Sequence, residues 1–432
     1  MRWSTPAVTN RLPAPGTRDH GMSTAQRVVV VGAGIAGVQV VESLRKNGFE
    51  GALTVVDADP ELPYDRPPLS KEFLTGVFDE DDFRLWSADR VTELRVELRL
   101  STRAVGLDTA RRRLAVRSAA DGADELAYDR LVLATGVAPR RPAAFVGLDG
   151  VHTLRSLADA RALRDALSTK PGPVVVVGGG FIGGEVATSA AAQGLDVTIV
   201  EGGGNLLPSV LSPGLSRPLE RLHEASGVRV ICGRTVAALH GQGSVETVEL
   251  ADGTRLPAGI VVLGLGGAPE TGWLDRSGLQ LSDGVHTDEG LRTPAEGVYA
   301  IGDIARRRDS ATGALVRLQH WTSAHRQAAH VARDLLGTTV PYRDVPFIWT
   351  DQHGARLQIA GASYGDEVRF VDGSPDTEAY LALVRRGPDL AGVIALGRMR
   401  EFQKMRRLLS DPPQWQSVVA GTPDLDTLGA QA

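Results

Sequence analysis

The sequence predicts an α/β protein with two parallel-sheet units and a C-terminal α+β domain that contains an antiparallel sheet. Three observations indicate this class. A glycine-rich motif follows a run of valines twice in the chain, and from Arg27 onward strand-like runs alternate with helical patterns. From Pro341 onward, aromatic and β-branched runs alternate with Gly and Asp turns, which is typical of antiparallel strands.

The two glycine motifs predict two binding sites for dinucleotides. Val28–Val31 precedes the first motif and Val174–Val177 the second, and each valine run is typical of a buried parallel strand. Glycines at this spacing let the chain turn tightly and approach a pyrophosphate, and the following helix N-terminus favours the anion. A single motif is weak, but two in this context indicate a pair of Rossmann-like units. The motif glycines are Gly32, Gly34, Gly37, Gly178, Gly180 and Gly183.

An acidic residue ends a second strand in each unit, at the distance of roughly 20 residues that this motif requires. Asp57 follows the run Leu53–Val56, and Glu201 follows Val197–Val200. Each carboxylate is predicted to accept hydrogen bonds from the ribose of its nucleotide. Residues 202–207 contain no Arg or Lys that could neutralise a ribose phosphate, so the second unit is predicted to prefer NADH over NADPH.

The composition argues against several classes of function. The formal net charge is -5, and the sequence has no block of Lys or Arg that would indicate an arm for binding nucleic acid. No apolar stretch approaches the ~20 residues that span a bilayer, so no membrane partner is expected. Cys232 is the only cysteine, which excludes an intramolecular disulfide, a CxxC redox pair and a cysteine-rich metal or iron–sulfur site. We predict no metal ligands, a packing role for Cys232 and a cytoplasmic protein.

Composition along the chain also predicts the domain boundaries. Residues 1–24 are rich in Pro, Thr, Ser and Arg, lack the apolar core of a secretory signal and are predicted to be a disordered leader. The stretch Pro139–Pro142 and the strand and loop Ile260–Pro269 are predicted crossovers between the units. The predicted domains are residues 25–142 with 269–338, residues 143–268, and a C-terminal domain of residues 339–432.

Two helices and four strands are predicted in the last part of the chain. One helical pattern runs from His325 to Leu336 and ends at Gly337, and a second runs from Glu401 to Leu409. Four apolar runs between them predict strands, namely Leu357–Gly361, Val368–Val371, Ala379–Val384 and Gly392–Leu396.

Four further motifs occur in a fixed order along the chain. They are Glu61–Lys71, Gly302–Asp303, Trp321 and Trp349–Gly361. In this order they resemble the flavoprotein ferredoxin and rubredoxin reductases that serve oxygenase systems, whose fold is similar to that of glutathione reductase and apoptosis-inducing factor. The resemblance covers about residues 25–410. It implies that the first glycine unit binds FAD, that the second binds NAD(P)H and that the C-terminal domain covers the flavin.

The resemblance also implies roles for single residues. Asp303 is expected to bind the FAD ribityl chain, and Arg66 is expected to face the flavin nucleotide. Lys71 is expected near the isoalloxazine ring, paired with Glu185, and Trp321 beside the ring; these three are the predicted catalytic residues. The alternative for the Lys71–Glu185 pair is an ordinary surface ion pair. The predicted cofactor-binding set is completed by the small-residue turns after two apolar strands, Ala134, Thr135, Gly136 and Gly267.

Besides the run of three glycines, Gly202–Gly204, that follows Glu201, three positions depart from the pattern of the related sequences. Gln319 stands where Glu is usual, two residues before the tryptophan, and Ser323 stands where Asn is usual, two residues after it. Near the C-terminus, Gly397 begins a segment in which Asn-x-Pro-x-x-Phe is usual. These departures concern the flavin environment and the redox partner rather than the fold.

We therefore predict an FAD-dependent NADH reductase that passes electrons to a ferredoxin-type iron–sulfur protein, which feeds a monooxygenase or dioxygenase. The cofactors carry the hydride chemistry, and the protein supplies orientation and electrostatics. Arg306–Arg308 and the basic residues between Arg398 and Arg407 predict a docking face for an acidic ferredoxin. We expect a transient complex and a reductase that is a monomer or weak dimer.

Two alternative functions are compatible with the same fold. A redox-sensing or NADH oxidase flavoprotein resembling apoptosis-inducing factor would have the same fold, but a sensor would form a long-lived reduced complex and turn over slowly. A pyridine nucleotide-disulfide reductase would need a thiol beside the flavin. Neither Cys232 nor the segment Pro67–Ser70 supplies one.

Overall fold

The computed structural model describes residues 26–309 and 313–420. The predicted leader, residues 1–24, and the last residues of the predicted C-terminal domain lie outside these ranges. None of the helices in the described ranges is long and apolar enough to cross a membrane. These helices are α1 (Ile35–Lys46), α2 (Ala88–Glu93), α3 (Leu157–Thr169), α4 (Phe181–Ala192), α5 (Pro213–Ala225), α6 (Trp321–Leu335), α7 (Met399–Leu408) and α8 (Trp415–Ala420).

The first parallel sheet is built around the valine run that precedes the first glycine motif. Residues Val28–Val31 are at most 3% exposed, because a parallel sheet is covered on both faces. Helix α1 packs against α6 beside this sheet. The five strands lie in the spatial order Val298–Ala300, Arg130–Leu133, Arg27–Val31, Ala52–Val56 and Val96–Arg99.

The second parallel sheet repeats this arrangement around the second valine run. Val174–Val177 is buried at the centre of the sheet, and the strand that ends at Glu201 pairs with it in parallel. Cys232 ends an edge strand and is only partly buried. The five strands lie in the spatial order Arg229–Cys232, Val197–Glu201, Val174–Val177, Ile260–Leu263 and Val151–His152.

The two predicted crossover segments pair with each other. Val137–Pro139 forms an antiparallel ribbon with Gly267–Pro269. The chain therefore leaves the first sheet along one strand of this ribbon and returns along the other. The ribbon lies close to the predicted domain boundaries at residues 142 and 269.

The C-terminal sheet is antiparallel and has five strands, one more than the sequence predicts. Its two faces bury different partners because side chains alternate along each strand. Leu357 and Ile359 pack with residues of the second unit, whereas Leu381 and Leu383 pack with Phe402 of α7. The strands lie in the order Phe347–Gln352, Ala355–Gly361, Asp389–Leu396, Tyr380–Arg386 and Glu367–Asp372.

Three small sheets were not predicted from the sequence. At least one strand of each sheet is largely exposed or only partly buried and lacks a clear apolar alternation, namely Gly122–Ala127, Val236–His240 and Ala305–Arg308. Helix α6 also begins at Trp321, four residues before the predicted start, and α7 begins at Met399, two residues before it. The strands of the small sheets are Thr102–Asp108, Arg113–Ser118 and Gly122–Ala127; Val236–His240, Thr247–Leu250 and Arg255–Pro257; and Val285–Thr287, Ala305–Arg308 and Leu315–Val316.

Candidate active site

The first glycine loop turns between its valine strand and α1. Gly32 has a φ of +107°, and a side chain there would collide with the carbonyl of Ala134. A side chain on Gly37 would collide with the carbonyl of Gly32, so both positions require glycine. Gly34 precedes α1, and no side chain caps the helix. The backbone N–H groups of the first turn are therefore available to an anion.

Asp57 ends the neighbouring strand and binds the same loop. Its carboxylate accepts hydrogen bonds from the backbone N–H groups of Ala33, at 2.5 Å, and Asp59, at 2.8 Å. A carboxylate has about four lone-pair sites, so both oxygens keep capacity for ribose hydroxyls. The spacing of the sequence therefore brings the Asp57 carboxylate to the glycine loop.

Arg66 and Arg155 place two guanidinium groups beside this loop. A Cβ on Gly34 would lie 2.7 Å from Nη1 of Arg66, and one on Gly136 would lie 2.9 Å from Nη2 of Arg155. Arg155 also pairs with Asp303 at 3.2 Å. Burial and the charge of Arg66 lower the pKa of Arg155. Two guanidinium groups held together beside a helix N-terminus are suited to bind an anion.

Arg155 is a site residue that the sequence reasoning missed. It lies just before α3, outside every motif, and only the fold brings it to Gly136 and Asp303. Its spacing from the glycine motifs carries no signal, because the contact spans 148 residues of chain.

Buried polar atoms around the first loop fit a polar ligand. Arg66 Nε, Thr135 Oγ1 and His320 Nδ1 are buried and have no hydrogen-bond partner among the described residues. Thr135 is next to Ala134, whose carbonyl lies against Gly32. His320 lies close enough to Asp303 for their charges to interact. Buried polar groups are seldom left unpaired in a native protein. The residues of this site therefore fit a nucleotide cofactor with hydroxyl, phosphate and ring polar atoms.

Lys71 and Glu185 form a buried pair between the two units. Lys71 Nζ lies 3.3 Å from Glu185 Oε1, and the two side chains are 16% and 6% exposed. The carboxylate also accepts hydrogen bonds from Ser70 Oγ at 2.5 Å and from Thr350 Oγ1 at 2.7 Å. Three donors and this burial exclude the alternative of an ordinary surface ion pair.

Trp321 connects the start of α6 to the loop that precedes Lys71. Its indole N–H donates to Asp65 Oδ1 at 2.8 Å. The ring stacks on His325 with centroids 5.5 Å apart and meets the edge of Trp349 at 6.2 Å. Burial raises the pKa of Asp65, although the hydrogen bond from Trp321 opposes this shift. The tryptophan is therefore fixed by one hydrogen bond and two ring contacts.

The second glycine loop reproduces the geometry of the first. Gly178 has a φ of +107°, and a side chain there would collide with the carbonyl of Gly264. A side chain on Gly183 would collide with the carbonyl of Gly178. Gly180 precedes α4, which again has no side-chain cap. This loop also presents the uncapped N-terminus of a helix.

Glu201 occupies the place in the second unit that Asp57 has in the first. It accepts hydrogen bonds from the N–H groups of Gly179, at 2.6 Å, and Gly203, at 2.7 Å. The backbone N–H of Arg234 donates to the Glu201 carbonyl, and the Arg234 side chain pairs with Asp252 at 2.9 Å. The positive charge of Arg234 is therefore partly neutralised.

The predicted site residue Gly267 and the three departures also have defined places. A Cβ on Gly267 would lie 3.1 Å from Gln319 Oε1. Ser323 is fully buried, and its hydroxyl has no partner among the described residues. Gly397 has a φ of +66°, a conformation that Gly and Asn both adopt readily, which accounts for glycine where Asn is usual.

The thiol of Cys232 lies in the edge strand of the second sheet, which pairs with the strand that ends at Glu201. Burial and the nearby carboxylate of Glu220 raise its pKa to about 11, so the unreactive protonated form dominates near neutral pH. Across the described residues, no group of three or more His, Cys, Asp or Glu side chains could hold a metal ion.

Comparison with known families and relatives gives a consistent result. The family model for pyridine nucleotide-disulphide oxidoreductases matches residues 26–328, and the reductase C-terminal model matches residues 347–427. Rhodocoxin reductase of Rhodococcus erythropolis is 33% identical over 401 residues, which cover 92% of this chain and 93% of that protein. The biphenyl dioxygenase system ferredoxin–NAD(+) reductase component of Paraburkholderia xenovorans is 36% identical over 88% of this chain and 92% of its own.

The fold is shared with a solved structure, the covalent putidaredoxin reductase–putidaredoxin complex. The TM-score is 0.87 at 30% identity, covering 94% of this chain and 99% of the other. These matches confirm the predicted α/β fold with its C-terminal sheet, the oxidoreductase class and the cofactor pair FAD and NAD(H). The chain belongs to the pyridine nucleotide-disulphide oxidoreductase family and carries a reductase C-terminal domain.

Proposed function

We propose that the protein is an NADH-dependent flavoprotein reductase that passes electrons from NADH through FAD to a ferredoxin-type iron–sulfur protein, which feeds a monooxygenase or dioxygenase. The observation that carries the proposal is the buried Lys71–Glu185 pair, because it joins the loop of one nucleotide unit to the helix after the glycine motif of the other. Relatives named rhodocoxin reductase and putidaredoxin reductase support the class of acceptor.

FAD is assigned to the first glycine loop and NADH to the second. Arg66 and Arg155 support the first assignment, because two guanidinium groups can neutralise a pyrophosphate that stays bound. Asp57 and Glu201 are assigned to the two ribose groups. Glu201 and the pairing of Arg234 with Asp252 favour NADH, since the charge of this arginine is already partly neutralised by Asp252.

Each residue of the Lys71 region has a positioning or electrostatic role in this proposal. When bound, FAD accepts a hydride from NADH and gives up its electrons one at a time. Lys71 keeps a positive charge at the flavin site, and Glu185 fixes its direction. Two further residues line the site in this proposal. Trp321 lies at the start of α6, and Asp303 lies in the turn after the strand Val298–Ala300.

The domain division is part of the same proposal. Residues 25–142 with 269–338 would form the FAD-binding domain, residues 143–268 the NAD-binding domain and residues 339–432 the domain that covers the flavin. The ribbon of Val137–Pro139 with Gly267–Pro269 supports the first two boundaries. A cytoplasmic location and a monomeric or weakly dimeric state are also proposed, and analytical sedimentation checks the latter.

The basic docking face needs revision in the light of the side-chain contacts. Arg307 is buried, and Arg398 pairs with Asp372 at 2.6 Å. Arg406 is partly buried, with its guanidinium 4.0 Å from the centroid of the Phe347 ring. These three arginines have structural partners. Arg400 and Arg407 are exposed on or beside α7 and are better placed to meet an acidic partner.

The docking proposal is tested by Arg400→Glu combined with Arg407→Glu. Reduction of an acidic ferredoxin should fall about fivefold or more at low salt and depend less on salt than in the wild type, while dye reduction stays unchanged. Arg103→Glu with Arg117→Glu is the matched control, because these exposed arginines face each other on a sheet of the first unit. Equal loss in both double variants would contradict a specific docking face.

The function itself is tested with the purified protein under anaerobic conditions. We expect bound FAD, rapid bleaching of the flavin by NADH, and reduction of both an artificial acceptor and a ferredoxin. A protein that forms a long-lived reduced complex and reduces neither acceptor would instead act as a sensor of the apoptosis-inducing factor type.

A further inference from the structure

A chain of hydrogen bonds runs from Glu185 into the C-terminal domain and ends at a partly exposed histidine. Thr350 Oγ1 lies 2.7 Å from Glu185 Oε1, and Gln352 Nε2 lies 3.1 Å from Thr350 Oγ1. Gln352 Oε1 lies 2.7 Å from His223 Nε2. His223 Nδ1 lies 2.9 Å from His353 Nε2. The chain therefore joins α4, α5 and the first strand of the C-terminal sheet.

The donors of this chain all point toward Glu185. Gln352 donates through its amide nitrogen to Thr350, so its oxygen must accept from the Nε2–H of His223. Burial and the nearby His353 lower the pKa of His223 to about 4, so its ring is neutral near neutral pH and has one N–H. Its Nδ1 must then accept from His353. Each side chain thus fixes the proton position of the next.

The chain is enclosed by the protein. Thr350, Gln352 and His223 are each at most 2% exposed. A Cβ on Gly184, the residue before Glu185, would lie 2.5 Å from the amide oxygen of Gln352. The absence of a side chain at Gly184 therefore lets α4 approach the amide. A buried polar network with every member paired is rigid, and loss of one member leaves the others unpaired.

We propose that Gln352 and His223 are positioning residues for the reductase reaction, and that they act through Thr350 to hold the Glu185 carboxylate in the orientation that binds Lys71. This inference rests on the proposed function, in which Lys71 lies at the flavin. The C-terminal domain then helps to build the hydride-transfer site in addition to covering it. Among the described residues, neither Gln352 nor His223 is hydrogen-bonded to Lys71, so their effect on Lys71 is expected to pass through Thr350 and Glu185.

The first test compares variants that remove or keep each hydrogen bond, measured as the limiting rate of flavin reduction at saturating NADH. Thr350→Val and His223→Leu should each lower this rate about tenfold, with the NADH Kd changed by less than about twofold. Thr350→Ser and His223→Gln, which keep a donor, should restore the rate to within about twofold of the wild type.

The matched control removes a hydrogen bond from the same interface but outside the chain. Tyr380 OH donates to the Leu215 carbonyl of α5 at 2.8 Å and has no bond to any member of the chain. Tyr380→Phe should lower the free energy of unfolding but leave the limiting rate unchanged. A loss of rate in Tyr380→Phe as large as in His223→Leu would overturn the proposal, because any weakening of the interface would then suffice.

The double variant Thr350→Val/His223→Leu gives the sharpest test. Because both residues act through one carboxylate, the double variant should be no slower than Thr350→Val alone. The proposal would be overturned if the rate losses of the two single variants multiplied in the double variant, or if both single variants kept full activity. The visible flavin spectrum supplies a reading without turnover: both single variants should shift it alike, and Tyr380→Phe should not. If the wild type binds FAD but is not reduced by NADH, the proposed function fails. The flavin spectra of the variants would still test whether the chain of hydrogen bonds fixes Glu185.

Discussion

The two glycine loops have the same backbone geometry but different side chains around them. Gly32 and Gly178 share a φ of +107°. In each loop the next backbone N–H donates to the acid that ends the neighbouring strand, at 2.5 Å to Asp57 and at 2.6 Å to Glu201. The backbone alone therefore cannot distinguish one nucleotide from the other.

The side chains provide the distinction. The first loop lies beside Arg66 and Arg155, whose positive charges are held together in a partly buried site. At the second loop the acid Glu201 is followed by glycines, and Arg234 is paired with Asp252. In the proposed function, the charged first site suits a cofactor that stays bound, and the less basic second site suits a coenzyme that must leave after each turnover.

Substitution of the first glycine of each loop, Gly32 or Gly178, should give the largest difference between the two nucleotide sites. Gly32→Ala should give a colourless protein, whereas Gly178→Ala should stay yellow but be reduced by NADH about 100-fold more slowly. Both changes strain a left-handed residue and collide with a carbonyl. Flavin content and stopped-flow reduction measure the outcome. Gly48→Ala controls for strain, because Gly48 has a φ of +86° in open space. Loss of flavin from both loop variants would contradict the assignment.

Removal of the two acids should give the next largest effects. Asp57→Ala should raise the FAD Kd about tenfold, because the ribose loses an acceptor and the loop loses its anchor. Glu201→Ala should leave FAD bound but raise the NADH KM about tenfold and narrow the preference over NADPH. Flavin retention on dilution and steady-state kinetics separate the two. Equal kcat/KM for NADH and NADPH in the wild type would show that Glu201 does not select the coenzyme.

The interface of the second unit should show a pH dependence that a variant can remove. Unfolded His223 takes up a proton near pH 6.5, but the folded chain holds it neutral down to about pH 4. Between these values the unfolded state binds more protons, so the free energy of unfolding falls as the pH drops.

When the pH drops from about 7 to about 5, the free energy of unfolding of His223→Gln should therefore fall by about 2 kcal/mol less than that of the wild type. Urea unfolding at the two pH values measures this difference. The groups that face His223 are Gln352 and His353, and the pKa of His353 is itself lowered by burial. The same slope in both proteins would show that His223 does not titrate in this window.

Cys232→Ser should have the smallest effect. The thiol lies in the second unit with a pKa raised to about 11, so the variant should keep essentially full NADH-dependent dye reduction and its flavin. Both are measured on the purified protein. Loss of activity with the flavin still bound would return a disulfide mechanism to consideration.

The sequence predicts features whose signal is local. The valine runs, the glycine spacing and the acids Asp57 and Glu201 lie within short windows, and the structure places each at its loop. The Lys71–Glu185 pair is different, because 114 residues separate its members and only the family resemblance indicated it.

Other parts of the site could not be predicted because they depend on tertiary packing. Arg155 lies outside every motif, and His223 and Gln352 meet across 129 residues. The basic residues were counted from the sequence as one docking face, but Arg307 and Arg406 are packed in the structure. The charge of a residue can be read from the sequence, whereas its exposure depends on which elements pack around the side chain.

The ribbon of Val137–Pro139 with Gly267–Pro269 bears on how such a chain can be assembled. Both of its strands follow a left-handed glycine, Gly136 and Gly266. The entry and exit of the intervening segment therefore lie side by side, which is the geometry that insertion of one domain into another requires. In the proposed domain division, residues 143–268 would form a cassette whose exchange for one of another coenzyme specificity leaves every strand of the first parallel sheet intact.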